Sequence, residues 1–457
     1  MLRILYGTAG TGKSAAIMDE IRRGADSGER YILLVPEQYS HEAERELCAV
    51  CGDGLSLYAE VLSFTGLARE ISSECGGAAN EYLDKGGRLL CMALAADGLY
   101  SRLRVYGAAR RKAELQTMLL GAVDEFKSAC VTGERLMQAS EACEGALGDK
   151  LHDLGLILEA YDGVVANGRA DPSDRLSVLA QQIGQCSMSE RTHVFVDGFT
   201  DFTAQERRVL EALLSKGVCL TVCLGCDELH GGSEVFALSR ITASALLKFA
   251  ADNGIKAQTE RFGGESTKAK PLGEFAENMF SYRAVEAGDA QGRIKIISAA
   301  DTNAECEFAA AEAVSLVRDT GCRWRDIAVC AKGFDDYRLP LESAFSRFGA
   351  PIYTARKADM LSKPLPMLIE SAYEIILGGW EADDVFDYLR TGFGGLDTDE
   401  CDELENYVFM WQLHGSAWTR AENWRLHPEG YGKQPDEASE PVSYTHLRAH
   451  ETCADLV

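Results

Sequence analysis

Gly7-Thr8-Ala9-Gly10-Thr11-Gly12-Lys13-Ser14 fits the pattern G-x-x-x-x-G-K-[ST] at every fixed position. The apolar run Leu2 to Tyr6 before it reads as a strand. After it, Ser14 to Arg23 carries Ile17 and Ile21 at helical spacing and stops at Gly24. Strand, glycine-rich turn and helix in that order make a phosphate-binding loop. Its backbone N–H groups are expected to surround a β-phosphate and Lys13 to reach the β/γ-phosphates. Ser14 is expected to hold Mg²⁺, and the helix to point the positive end of its dipole at the anion. Nucleotide binding is therefore assigned to Gly7, Thr8, Ala9, Gly10, Thr11, Gly12, Lys13 and Ser14, with ATP and Mg²⁺ as the cofactors.

Working outward, a second strand, Tyr31 to Val35, ends at Pro36, and the alternation of strand and helix predicts a parallel α/β sheet. Ser40 to Cys48 is helix-prone, and Val61 to Thr65 leads into another helical segment. Strand signal then vanishes over residues 81–184, which read as a helical insertion with a capped start at Asp171-Pro172-Ser173-Asp174. Its one basic cluster is Arg102, Arg104, Arg110, Arg111 and Lys112. The sheet resumes at Thr192 to Val196, and Asp197 at that strand's end is placed to join Ser14 on Mg²⁺. Leu220 to Leu224 is a further buried strand. The first domain is thus expected over residues 1–80 and 185–262, interrupted by the insertion.

Residues 263–292 are polar and read as a linker. A second α/β unit is expected over 293–365, with strands at Arg293 to Ser298 and Asp326 to Ala331 around a helix at Glu305 to Arg318. Helical character returns over 366–427, and from 428 to 457 Gly, Pro, Glu and Ser break all periodicity, so that stretch is expected to be a disordered, foreign tail.

The chain has 457 residues and a net charge of −25, so attraction across the whole molecule cannot drive nucleic-acid binding and any DNA contact must be local. Its fifteen cysteines are scattered, and the C-x-x-C pairs Cys48/Cys51 and Cys223/Cys226 lack a second pair at finger spacing, which argues against zinc. No apolar run reaches the roughly 18 residues of a membrane span, and Met1 leads straight into the first strand, so no membrane association and a cytoplasmic location are expected.

The order of phosphate loop, helical insertion, Asp-ended strand and second α/β unit resembles a superfamily 1 helicase motor. Val61-Leu62-Ser63-Phe64-Thr65-Gly66 resembles that motor's DNA-contacting motif, which implies DNA contact by Ser63, Phe64 and Thr65. Phe195 through Gln205 resembles the Walker B motif and its extension. More narrowly, Val35-Pro36-Glu37-Gln38, Val196-Asp197-Gly198-Phe199-Thr200, Lys150-Leu151-His152-Asp153-Leu154, Tyr388-Leu389-Arg390-Thr391-Gly392 and Leu404-Glu405-Asn406-Tyr407 are similar to the N-terminal part of the AddB family. These are the B subunits of AddAB (RexAB) helicase–nucleases of double-strand-break repair.

The resemblance implies a RecA-like phosphate-loop domain with a helical insertion and an incomplete second RecA-like domain with its own. It also implies a heterodimer with an AddA-type helicase–nuclease subunit, contact with single- and double-stranded DNA, and a part in reading the recombination hotspot Chi. Members exceed twice this length and carry a RecB-type nuclease domain braced by a [4Fe-4S] cluster. Neither its carboxylates nor the cluster's cysteines correspond to residues here, so the chain looks like a truncated gene.

One departure bears on catalysis. A working motor has Asp-Glu where this chain has Asp197-Gly198, and glycine can neither orient nor deprotonate water. The leading reading is accordingly a nucleotide-binding, non-unwinding scaffold. The alternative is an active DNA translocase in which Asp201 or Glu206 replaces the missing glutamate; a small-molecule kinase gives no reason for the insertion.

Overall fold

The structure, a computed structural model, describes residues 1–52, 54–76, 82–263, 270–279, 292–354, 360, 362–420, 424, 426–427 and 430–431. Two compact units divide at Ile296/Ile297.

The first unit is built on six parallel strands. In chain order, β1 (Leu2–Gly7), α1 (Lys13–Arg23), β2 (Arg30–Leu34), α2 (Ser40–Cys51), β3 (Ala59–Leu62) and α3 (Phe64–Glu74) come first. Five helices follow: α4 (Lys85–Gly98), α5 (Ala113–Ser128), α6 (Gly133–Glu141), α7 (Ala146–Val165) and α8 (Arg175–Gln182). Then come β4 (Thr192–Val196), α9 (Ala204–Ser215), β5 (Cys219–Gly225), α10 (Ala237–Asp252), β6 (Ala257–Arg261) and α11 (Lys270–Asn278). The sheet order is β3-β2-β4-β5-β1-β6, so β5 lies between β1 and β4.

Alternate side chains along each strand enter different cores. Ile4, Ile32, Leu34, Val194, Val196 and Val222 face α3, α8, α9 and α10. Leu5, Tyr31, Leu33, Phe195 and Cys223 face α1 and α2. Cover on both faces explains why these strands are continuous apolar runs. β6 carries no such signal: Ala257 to Arg261 are all exposed, and the strand forms an edge against β1. α11 falls inside the stretch expected to be linker, where Leu272, Phe275 and Met279 supply helical spacing.

Helices α4 to α7 enclose a core of their own, centred on Met92, Leu119, Leu156 and Tyr161. The expected capped start at Asp171 is also the hub of a buried ion network. Asp171 accepts from Ser173 N–H at 3.0 Å, pairs with Arg88 at 3.0 Å and with Lys127 at 3.1 Å. Lys127 also reaches Asp162 at 2.8 Å and Asp174 at 2.7 Å. Gln205 on α9 ties in the same segment by donating to the Ser173 carbonyl at 2.9 Å. Much of the basic cluster, in contrast, is consumed locally: Arg110 and Arg111 pair with Asp97, and Arg104 pairs with Asp149.

The second unit corrects an expectation. Among its described residues it contains α12 (Thr302–Thr320), α13 (Phe334–Arg347), α14 (Pro364–Gly378), α15 (Ala382–Leu389), α16 (Thr398–Trp411) and α17 (Ser416–Thr419), and no strand. Neither 293–298 nor 326–331 joins a β-ladder there. An apolar run becomes a strand only when neighbouring backbone takes up its N–H and C=O groups, and Ile296 is 96% exposed. Cys306, Ala310, Leu341 and Phe345 join α12 to α13, while Ile375, Phe386, Leu404 and Val408 join α14 to α16. Of the expected tail, all but Gly430 and Tyr431 lies outside the described residues.

Asp153 shows why the Lys150 to Leu154 stretch matters. Its buried carboxylate accepts from the N–H groups of Arg104 at 2.9 Å, Val105 at 2.7 Å and Tyr106 at 3.2 Å, stapling that loop to α7. Burial acts to raise its pKa, but the three backbone donors outweigh burial and hold the carboxyl below the usual aspartate range. A depressed folded pKa stabilises above the unfolded value of about 3.9 and loses that contribution as pH falls through the folded value. Asp153→Ala is expected to cost roughly 2–4 kcal/mol at neutral pH, since buried donors lose a charged acceptor. Thermal unfolding against pH should show the loss above about pH 4 and its disappearance in acid.

Candidate nucleotide site

The site lies along the edge where the strands end, because loops there are the polar backbone that a doubly covered sheet leaves open. Gly7 closes β1 opposite Gly225 of β5, and the Cys226 N–H donates to the Gly7 carbonyl at 3.2 Å. Gly10 and Gly12 then take left-handed backbone, with φ of 86° and 87°. α1 starts after Gly12 with no side-chain cap, so its first N–H groups face the loop uncapped by any side chain.

Lys13 folds over this turn. Its ammonium donates to the carbonyls of Gly7 at 2.7 Å and Thr8 at 2.9 Å and lies 3.4 Å from Thr11 Oγ1, while the Thr11 hydroxyl donates to the Thr8 carbonyl at 2.9 Å. Burial draws the Lys13 pKa down, and the Asp197 carboxylate opposes it. Ala9 and Ser14 are exposed at the rim. Asp197 follows β4, two strands from β1, and donates its N–H to the Leu34 carbonyl at 3.0 Å. The structure thus brings the loop and Asp197 to one edge of the sheet.

Three features of the site were not foreseen. Cys223 is buried on β5 between the loop strand and the Asp197 strand, its thiol pKa pushed up by burial and further by Asp197. The Phe262 carbonyl, just past β6, abuts Gly7: a Cβ there would lie 2.3 Å from that oxygen and 2.8 Å from Thr11 Oγ1. Pro36 and Tyr39 crowd Gly198, which has φ +83°. None of these contacts has a sequence pattern, because each pairs residues from separate strand ends.

The implied DNA-contacting residues take structural posts. Ser63 caps α3, accepting from Gly66 N–H at 3.1 Å. Phe64 is buried and makes T-shaped contacts with Phe199 at 5.5 Å and Phe202 at 6.2 Å. Thr65 is half-buried. Glu206, a candidate substitute base, is spent in a capping box, its carboxylate accepting from Thr203 N–H at 2.8 Å and lying 3.0 Å from the Thr203 hydroxyl. Among the described residues no three His, Cys, Asp or Glu side chains converge as a metal site. No described helix is long and apolar enough to cross a membrane.

A parallel six-stranded sheet with this loop after its first strand is consistent with the RecA-like α/β class. The chain belongs to the family described as "ADDB, N-terminal", which matches residues 4–275. It is similar to proteins named as the B subunit of an ATP-dependent helicase/deoxyribonuclease. With that of Acetivibrio thermocellus it is 31% identical over 444 residues, 94% of this chain and 38% of that protein. With that of Desulforudis audaxviator it is 34% identical over 457 residues, 96% of this chain and 39% of that protein. With that of Heliobacterium modesticaldum it is 34% identical over 93% of this chain and 36% of that protein. The chain therefore spans under two fifths of the length of these curated relatives.

Two alanine substitutions separate crowding from backbone strain. Gly7→Ala drives a Cβ into a backbone carbonyl and is expected to destabilise the chain by about 1–3 kcal/mol. Gly12→Ala meets nothing within 4 Å and should cost only the left-handed strain, about 1–2 kcal/mol. Thermal unfolding of both variants checks the order.

Proposed function

We propose that this chain is the N-terminal part of the B subunit of an ATP-dependent helicase/deoxyribonuclease for double-strand-break repair. In it the strands and helices of 1–80 and 185–262 act as a superfamily 1 type phosphate-loop domain, and 81–184 as its insertion. Its role is that of a nucleotide-binding, non-unwinding scaffold in the cytoplasm, paired with an AddA-type motor subunit. It helps to hold single-stranded DNA, drawn from double-stranded ends, during Chi recognition.

The observation that carries this reading is a complete phosphate cradle beside an Asp197 followed by glycine. The residues fit a nucleotide. Gly10 and Gly12 take left-handed backbone within the loop, α1 begins without a side-chain cap, and Lys13 needs only to exchange two carbonyls for phosphate oxygens. Ser14 and Asp197 would hold Mg²⁺, which when bound with ATP supplies neutralising charge for the phosphates. The chain's own residues bind and orient. Activation of water typically contributes about 10²–10⁴ in rate; Gly198 has no side chain to supply it, and Glu206 is occupied in its cap. Binding with little turnover follows.

Isothermal titration of the intact chain should show ATP·Mg²⁺ affinity that Lys13→Ala reduces at least about tenfold, as expected for a lost charged contact. Phosphate release should stay near background with or without single-stranded DNA. Brisk DNA-stimulated release that Lys13→Ala abolishes would establish a translocase instead.

A further inference from the structure

Cys223 is a polar group in a row of apolar ones, and the register of the sheet says what it faces. Val196 of β4 stands opposite Leu34 of β2 and Val222 of β5. One residue further on, Asp197 lies between Val35 and Cys223, and Cys223 is itself opposite Leu5 of β1. Val35, Cys223 and Leu5 all belong to the core that faces α1 and α2, as does Phe195 on β4. Alternation along a strand returns every second residue to the same face, so Asp197 follows Phe195 to that side. The carboxylate and the thiol are therefore neighbours on adjacent strands, both close enough to Lys13 for their charge to act on it.

The two groups are partners. Cys223 is 2% exposed and Asp197 is half-buried. Burial, with the charge of Asp197 and a hydrogen bond to it adding, pushes the thiol pKa well above its usual range, so the sulfur keeps its proton and is the donor. The other hold on the carboxylate is the Gly198 N–H, which donates to it at 2.9 Å. Lys13 donates instead to the Gly7 and Thr8 carbonyls at 2.7 and 2.9 Å.

We propose that Cys223 is a positioning residue for the nucleotide's metal: its thiol, reaching from β5, holds the Asp197 carboxylate in place for Mg²⁺ and leaves Lys13 to the phosphates. The inference rests on the reading of the site as one that holds ATP, with Ser14 and Asp197 on the ion. A ligand fixed by a neighbour before the ion arrives has less freedom to lose when the ion binds. Because S–H is a weak donor, the effect belongs at the lower end of the roughly 10–100-fold that such supporting hydrogen bonds contribute to metal affinity.

The test titrates ATP into the full chain in Mg²⁺ and again in EDTA, so that each variant yields a ratio of two affinities. Cys223→Ser keeps a donor and is expected to hold that ratio within about threefold of the wild type. Cys223→Ala, which differs from the serine variant by the hydroxyl alone, should lower the ratio about tenfold and leave affinity in EDTA unchanged. Cys223→Val fills the site without a donor; it should match Cys223→Ala and carries the comparison where the alanine chain fails to fold. In an Asp197→Asn background the same substitutions should remove little more, since the group they act through is already gone. Equal losses in the serine and alanine variants, a loss of the same size in EDTA, or a loss undiminished by Asp197→Asn each overturns the positioning role. A wild type that does not bind ATP overturns the nucleotide-holding reading and this inference with it, and the wild-type titration alone tells that failure from the others.

Discussion

Every strand between β2 and β1 in the sheet is covered by helices on both faces, and this double cover confines polar chemistry to the edge where the strands end. Gly7, Val35, Ser63, Asp197 and Gly225 all sit at that edge because their strands are parallel and start in step. The insertion of β5 between β1 and β4 then sets the spacing between the phosphate loop and Asp197. Cys223, lying in that gap beneath both, is a neutral thiol where a charged group would face an unrelieved desolvation cost.

The same constraint decides what could be read from the residues. β1, β2, β4 and β5 announce themselves as apolar runs because both faces are buried, and the loop announces itself because phosphate binding demands glycines and lysine at fixed spacing. β6 is silent, since an edge strand with every residue exposed needs no apolar pattern. The runs at 293–298 and 326–331 mislead for the opposite reason: apolarity reports a tendency to be buried, whereas a strand also requires a backbone partner. At the site, Thr203-Ala204-Gln205-Glu206 carries a capping-box signature that assigns Glu206 to the helix start before any catalytic role is considered. The approach of Pro36 to Gly198 and of Phe262 to Gly7 left no trace in the sequence, because neither contact is local.

Away from the sheet, order in the insertion comes from charge as well as from its apolar core. Lys127 and Asp171 are both buried, and such charges are tolerated only as a satisfied set. Arg88, Asp162 and Asp174 complete that set, drawing α4, α5, α7 and the entry to α8 to one point. Breaking one partner of such a set leaves a buried charge uncompensated, so the helices that carry it are tied together at this point.

The three rings of Phe64, Phe199 and Phe202, with centroids 5.1 to 6.2 Å apart, link the first turn of α3 to the segment just past Asp197. Interlocked rings transmit displacement because a packed core resists compression. Phe64 is the buried member of this stretch, and its neighbours Ser63 and Thr65 lie nearer the surface. The seat of α3 and the course of the chain after Asp197 are therefore set by one and the same packing, so neither is placed independently of the other.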